Sequence, residues 1–510
     1  MSASGSAAAQ GHRGFVTVSI MLATIMQALD TTIANVALPH MQGSLAATQD
    51  QISWVLTSYI VAAAIMTPPT GFLAARFGRK RLFLASVTGF TIASMLCGAA
   101  QTLDQIVVFR LLQGVFGAAL VPLSQAVLLD TYPRERHGSA MALWGVGVMV
   151  GPILGPTLGG WLTDSYNWRW VFYINLPFGL LALFGILAFV PETERDRRPF
   201  DWFGFTTLSV ALGALQLALD RGEIKDWFGS TEIIVEATVA GLAFYLFLVQ
   251  MATAERPFLE PALFKDRNFC IGLFFIFVIG IVLLATLALM PPFLQNLMGY
   301  PVITTGFVLA PRGIGTMIAM MVVGRLIGRI DSRLIIFVGL SLTALSLYQM
   351  ASFTTDVSEM RIVTSGIIQG LGLGFIFVPM STLTFATLEP RFRTEAAGLF
   401  SLMRNIGSSI GVSVVTALLS QYTQINHAIL SEHVSPYNPM MRSPWLPSMW
   451  DLAQPAGRAA LDAVITQQAA TIAYLNDFRF MMYVALLSLP LILLLRKPRR
   501  AAPAETAVIE

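Results

Sequence analysis

Between Asp50 and Arg76 the chain reads QISWVLTSYIVAAAIMTPPTGFLAA (residues 51–75) without a charged side chain, then turns abruptly basic as RFGRKR (76–81). A helix rises 1.5 Å per residue, so about 20 uncharged residues cross the roughly 30 Å of a bilayer's hydrocarbon. This run is long enough for one span, and the basic cluster closes it. The same alternation continues in both directions. Charge-free stretches run 13–30, 81–104, 110–130, 136–164, 169–192, 201–220, 236–255, 333–356, 361–389 and 479–496. Residues 267–312 hold one span, a short turn and the start of the next, and 395–432 is interrupted only by Arg404. The count is fourteen.

Composition agrees. Of 510 residues, 55% are hydrophobic and 12% charged, about half the charge of an average soluble domain. Mean hydropathy is +0.68. These values exclude an ordinary cytosolic enzyme, a disulfide scaffold and a nucleic-acid binder. The only cysteines, Cys97 and Cys270, lie in apolar runs without metal-ligand spacing. The first apolar run, 15–38, is too long for a signal-peptide core and is expected to be a retained span. With the N-terminus inside, 22 of the 32 basic residues fall in inner segments. The positive-inside rule then places both termini in the cytoplasm.

The exit of the second span, GFLAARFGRK (71–80), has a partner in GRLIGRIDSR (324–333), 253 residues on. LLQGVFGAALVP (111–122) matches IIQGLGLGFIFVP (367–379) at an offset of 256, and Gly147/Gly151 match Gly407/Gly411 at 260. Three colinear offsets predict two six-span halves of like orientation. The expected organisation is an inner N-terminus (1–14), an N-terminal bundle (15–191), a linker (192–201), a two-span insertion (202–250), a second linker (251–268), a C-terminal bundle (269–497) with a long outer loop (421–477), and a tail (498–510).

Charges kept inside spans carry the functional expectations. A carboxylate in hydrocarbon must face a cavity, find a partner or be neutral. Asp30 is the acid well inside a span, and its depth matches that of Arg110 on the fourth. Burial would raise the Asp30 pKa and Arg110 would lower it, so this pair is the candidate for proton coupling. A static ion pair tying two helices together is the alternative. Gln27, Thr31 and Asn35 share an arc of about 140° with Asp30. With Gln113, Met380 and Asn405 they are candidates to line a substrate cavity, although each also fits plain packing. Arg312 and Arg404, with no acid in a nearby span, suit either an acidic amphipath or the capping of backbone carbonyls. Gly147, Gly151, Gly155 and Gly159 recur every four residues, a flat face for close helix contact, with Pro152 and Pro156 expected to kink the helix. No phosphate-binding GxxxxGK[ST] occurs. Residues 407–411 satisfy GxSxG, but no strand precedes them and no His lies in a span, so neither ATP hydrolysis nor hydrolase chemistry is expected.

With these residues in place, the chain resembles the major facilitator superfamily, and within it the fourteen-span drug:proton antiporters of the EmrB/QacA type. LDTTIANVALP (29–39) is similar to that group's first-span motif and FRLLQG (109–114) to its fourth-span motif. GVGVMVGPILGPTLGG (145–160) resembles the antiporter motif, and GFLAARFGRK the superfamily's loop motif, carrying Gly71, Arg76, Gly78, Arg79 and Lys80. The basic residues of that loop fit either a gate or a plain orientation signal. Ala75 stands where the loop motif usually has Asp, so a charge relay through that position cannot operate here. The resemblance spans residues 12–500. It implies an all-α integral membrane protein of two six-helix bundles plus two inserted helices. It further implies multidrug efflux by alternating access, driven by protons without a cofactor, in a bacterial inner membrane. Expected partners are amphipathic drug-like substrates, protons, membrane lipids, a periplasmic adaptor (an EmrA-like membrane fusion protein) and an outer-membrane channel; loop 421–477 fits either the docking site or an inert flap. A metabolite transporter on the same fold and a membrane-embedded lipid-carrier enzyme are the alternatives; the fifth-span Gly/Pro pattern favours export, and no acidic or His cluster at a membrane face supports the enzyme.

Overall fold

The computed structural model describes residues 3–193, 195, 199–255, 257–435, 437–439 and 450–496. The whole of the 498–510 tail and linker residues 194, 196–198 and 256 therefore lie outside the described residues, as do Pro436 and 440–449 of the expected outer loop. Among the described residues, thirteen helices are long and apolar enough to cross a membrane, or fourteen if one bent pair is a single span. They are α1 (Ala3–Ser44), α2 (Trp54–Met66 and Thr70–Phe77), α3 (Arg79–Ala99), α4 (Leu103–Gly117 and Leu120–Thr131), α5 (His137–Ser165) and α6 (Trp170–Tyr173 and Asn175–Phe189). The segment expected to be an insertion forms two helices, α7 (Trp202–Arg221) and α8 (Thr231–Thr253). The second half comprises α9 (Arg267–Pro292), α10 (Val302–Leu326), α11 (Ser332–Met350), α12 (Glu359–Ala386), α13 (Arg393–Glu432) and α14 (Pro455–Ser488). No strand occurs among the described residues.

The acidic residues that mark the span ends also start helices. Asp201 accepts from Gly204 N, Asp266 from Phe269 N and Asp331 from Arg333 N, supplying acceptors for N–H groups that a helix start leaves unpaired. The bend in α2 is 59° and falls at Thr67-Pro68-Pro69, where two successive prolines cannot continue the helical ladder.

The repeat is legible in the packing. In the first half α1 pairs with α4, α5 and α6, α2 with α4, and α3 with α4 and α6. The same six pairings recur eight helices later: α9 with α12, α13 and α14, α10 with α12, and α11 with α12 and α14. The halves meet through α5 against α10 and α12, and through α13 against α2 and α4. Helix α7 packs on α2 of one half and α13 of the other. Its Gln216 accepts from Ser409 on α13 (3.0 Å) and donates to Asp220 (2.9 Å), which Thr57 of α2 also contacts.

One expectation changes. Residues 421–477 are not a loop over most of their described length. α13 continues as a single helix to Glu432, and α14 begins at Pro455. The two extensions are tied by Asn426 Nδ2 to the Ala469 carbonyl (3.4 Å) and by His427 to Asp462 (2.9 Å). Residues 457–475, expected within that loop, are thus the first part of α14. Its polar residues disguise a helix that begins well before the apolar run.

Candidate functional site: a buried ion-pair cluster and a latch between the halves

Asp30 on α1 is fully enclosed, with 0% exposure, and Arg110 on α4 has 1%. Arg110 Nη1 donates to Asp30 Oδ2 at 2.7 Å. Gln113, one turn beyond Arg110 on the same face of α4, donates Nε2 to Asp30 Oδ1 at 2.8 Å and accepts from Arg110 Nη1 at 2.8 Å. Asn175, which opens the second part of α6, donates to Asp30 Oδ1 at 2.8 Å and to Ser94 Oγ at 2.9 Å. The guanidinium also donates Nε to the Val55 carbonyl (3.1 Å) and lies 4.5 Å from the Tyr59 ring centroid and 5.5 Å from that of Phe172. Ion pairing, neutral donors and cation–π contact together meet the desolvation that would otherwise expel both charges.

The glycine face of α5 lies directly behind this cluster. A Cβ on Gly151 would sit 2.3 Å from the Ala28 carbonyl oxygen, one on Gly155 2.1 Å from Thr32 Oγ1, and one on Gly159 2.8 Å from Ile33 Cγ1. Gly147 likewise faces Met21. Only glycine lets α5 approach the turn of α1 that carries Asp30, and Thr32 Oγ1 donates to the Gly151 carbonyl at 3.0 Å across the contact. α5 runs through Pro152 and Pro156 as one helix.

The polar stripe on α1 is only partly drawn in. Gln27 donates to the Tyr59 hydroxyl at 3.2 Å and so joins the edge of the cluster. Thr31 bonds its own helix at Ala28, and Asn35 is exposed. Gln113, expected among cavity residues, is sealed inside the ion-pair cluster instead. Met380 is fully buried in the apolar core, whereas Asn405 is half-buried. Arg312 is 7% exposed, and its Nη2 reaches the Leu283 carbonyl at 3.4 Å, which is the carbonyl contact rather than an ion pair. Arg404 is half-buried and makes no ion pair among the described residues.

A second charged group lies at the Arg-rich face. Asp130, near the end of α4, pairs with Arg79 at the start of α3 and with Arg393, the first residue of α13 in the other half. Arg393 also donates to the Leu129 carbonyl at 3.2 Å. Nearby, a Cβ on Gly71 would lie 2.7 Å from Glu395 Cα, so α2 and α13 touch backbone to backbone. Gly78 has φ +91°, a left-handed turn between α2 and α3 that favours glycine, and the Glu192 carboxylate fills the space beside it. Of the loop-motif residues, Arg79 is therefore in the latch. Arg76 is exposed and lies 6.0 Å from the Phe72 ring centroid, and Lys80 is half-buried. Ala75 is exposed; the acid that joins the halves here is Asp130.

Sequence reasoning missed Asn175, Tyr59, Ser94, Asp130 and Asp477. Asn175 had a signal, an amide inside an otherwise apolar run (170–189). Asp130 stands at the end of a charge-free run, where its charge reads only as a span boundary.

The family profile of the Major Facilitator Superfamily matches residues 20–412. The chain is 37% identical over 432 residues to the multidrug export protein EmrB of Haemophilus influenzae, covering 84% of each chain. It is 38% identical over 427 residues to EmrB of Escherichia coli K12, covering 83% of each. The fatty acid resistance protein FarB of Neisseria gonorrhoeae is 38% identical over 426 residues, covering 83% of this chain and 84% of its own. Among solved structures, the human organic anion transporter MFSD10 (TETRAN) superposes with a TM-score of 0.59 at 14% identity, covering 93% of this chain and 99% of that one. That likeness concerns the fold alone.

Proposed function

The chain belongs to the Major Facilitator Superfamily, secondary transporters rather than enzymes, and on that premise we propose that it is a proton-coupled multidrug efflux transporter that exports amphipathic compounds by alternating access. The observation that carries this reading is the Asp30–Arg110 pair, enclosed at 2.7 Å and held by Gln113 and Asn175. Asp30 is the proton-coupling acid. Arg110 stabilises its ionised form, and a rearrangement that separates them leaves a carboxylate whose cheapest response to an apolar environment is to bind a proton. No cofactor is needed: the proton gradient supplies the free energy.

The Arg-rich face is cytoplasmic, as are both termini, and the membrane is the bacterial inner membrane. On that face Asp130 ties Arg79 of the N-terminal half to Arg393 of the C-terminal half, so the conformation described is latched on the cytoplasmic side. Opening that side toward cytoplasmic drug requires the latch to break. On the opposite face, the paired extensions of α13 and α14 form a rigid projection on which a periplasmic adaptor docks, delivering substrate to an outer-membrane channel.

The test is Asp30→Asn in everted vesicles. Drug addition should move protons through the wild type and not through the variant, with the variant still inserted and folded. Persistence of drug-driven proton movement in Asp30→Asn would assign the pair a structural role only.

A further inference from the structure

A carboxyl group outside the ion-pair cluster is also fully enclosed. Asp477, on α14, has 0% exposure, and neither of its oxygens has a hydrogen-bond partner among the described residues. Two contacts fix its depth. Met481, one turn nearer the cytoplasmic face, lies with its sulfur 3.8 Å from Thr286 Oγ1 of α9; Gln467, farther out, donates to the Leu297 carbonyl at 3.1 Å. Asp477 therefore sits between the centre of the C-terminal half and the outer surface.

Its surroundings offer no countercharge. α9 carries no charged residue from Asn268 to Pro292, nor does the turn of π-helix that follows it, Phe293–Leu297. On α11 the only charged side chain is Arg333, at the cytoplasmic end, and Tyr348 is exposed. α13 carries none between Arg404 and His427; its one titratable group there is Tyr422, partly exposed, and His427 itself is engaged with Asp462. On α14, Arg479 is exposed. The titratable neighbour that shares the buried face is Tyr474, one turn away and 6% exposed. The remainder is aromatic and aliphatic: the Phe293 ring lies 5.5 Å from that of Tyr474 and 6.4 Å from that of Phe478.

An ionised carboxylate without a donor or countercharge cannot be held in such a place; the group takes up a proton instead. We propose that Asp477 is a second proton-binding site, in the outer part of the C-terminal half, occupied in the conformation described. The step is the binding of one proton to a carboxylate oxygen, with nothing oxidised or reduced. Movement of α14 that brings water or a donor to Asp477 releases that proton. The position, outward of Thr286, lies where a proton arriving from the outer side first meets an acid inside the C-terminal half. The inference deepens the proton-driven reading above and rests on it.

The test uses the full-length protein in detergent and then in proteoliposomes. A hydrophobic carbodiimide adds to protonated carboxyls in apolar surroundings. Peptide mass spectrometry of the labelled wild type at neutral pH should find the adduct on Asp477, with labelling falling as pH rises, and Asp30→Asn should leave that adduct unchanged. In proteoliposomes Asp477→Asn, near-isosteric with the neutral acid, should export drug with fewer protons moved per molecule, whereas Asp477→Glu should restore the wild-type ratio. Absence of an Asp477 adduct on the wild type overturns the proposal whether or not the Asn variant folds, as does an unchanged proton ratio in that variant. Labelled Asp477 with intact coupling in Asp30→Asn would sink the role given to Asp30 and leave the site at Asp477 standing.

Discussion

In the N-terminal half Gln113 donates to Asp30 at 2.8 Å; at the equivalent place in the C-terminal half, 256 residues on, Gln369 donates to Thr286 at 3.1 Å. The helices and the bond are repeated, but the chemistry around them is not. The residue corresponding to Arg110 is Gly366. Where Asn175 reaches Asp30, Met481 presents its sulfur to Thr286 at 3.8 Å. Tyr59, which faces the Arg110 guanidinium, has Arg312 as its counterpart at the 253-residue offset of the loop motif, and Arg312 reaches only a backbone carbonyl. A duplicated scaffold thus holds a satisfied ion pair in one half. In the other it holds a neutral bond, and the ionisable groups Arg312 and Asp477 stand at other positions with no ion-pair partner among the described residues. Charge that is fully paired in one conformation resists change until the pairing is broken. Charge or acid without a partner is sensitive to any motion that alters its access to water.

The largest effect should come from breaking the paired half unevenly. Arg110→Ala leaves Asp30 buried beside Gln113 and Asn175 without its countercharge, and removal of one partner from a buried pair costs about 3–5 kcal/mol. The expected outcome is a steep fall in thermal midpoint in detergent together with loss of efflux. Asp30→Asn combined with Arg110→Gln removes both charges and should recover most of the stability while transport stays lost. Recovery of transport in the double variant would mean that the pair is only a brace.

A smaller and more equal effect is expected where the halves are alike. Gly151 faces the Ala28 carbonyl at 2.3 Å on α1, and Gly407 faces the Phe277 carbonyl at 2.2 Å on α9, both measured from a Cβ position. A valine at either site forces its helix pair apart, and overpacking of this kind costs roughly 1–3 kcal/mol. Unfolding of Gly151→Val and Gly407→Val should show similar losses. Only Gly151→Val should also abolish drug-driven proton movement, because only α1 carries the acid.

Much of this contrast could be read in the chain before any coordinates. The thirteen or fourteen candidate spans among the described residues, the recurrence of helix pairings eight helices apart and the contact of Asp30 with Arg110 follow from where charge is absent and where it is retained. Other features were hidden by the same rule. Asp130 and the caps Asp201, Asp266 and Asp331 stand at span ends, where a charge reads as a boundary and its partner in space is invisible. Asp477 and Arg479 give the outer part of α14 the look of a loop, since a helix that extends beyond the membrane carries charge along its length. The neutral donors to Asp30 were obscured for another reason. Gln113 and Asn175 differ from ordinary polar residues of a span only by the direction they face, and that is fixed by packing of α4 and α6 on α1.

The finest distinction lies in the repeated glutamine itself. Gln113 serves a carboxylate and a guanidinium, and hydrogen bonds to charged groups contribute about 1.5–3 kcal/mol. Gln369 donates to a hydroxyl, a neutral bond of about 1 kcal/mol. Both side chains are fully buried, so leucine at either position removes a comparable volume of amide and leaves no exposed gap. Denaturant or thermal unfolding should therefore rank Gln113→Leu as clearly the more damaging of the two. Gln369→Leu should retain efflux, with a drop in stability near the limit of measurement. Equal losses would show that Thr286 is held as tightly as Asp30, and that the C-terminal half has a polar centre of the same strength without the charges.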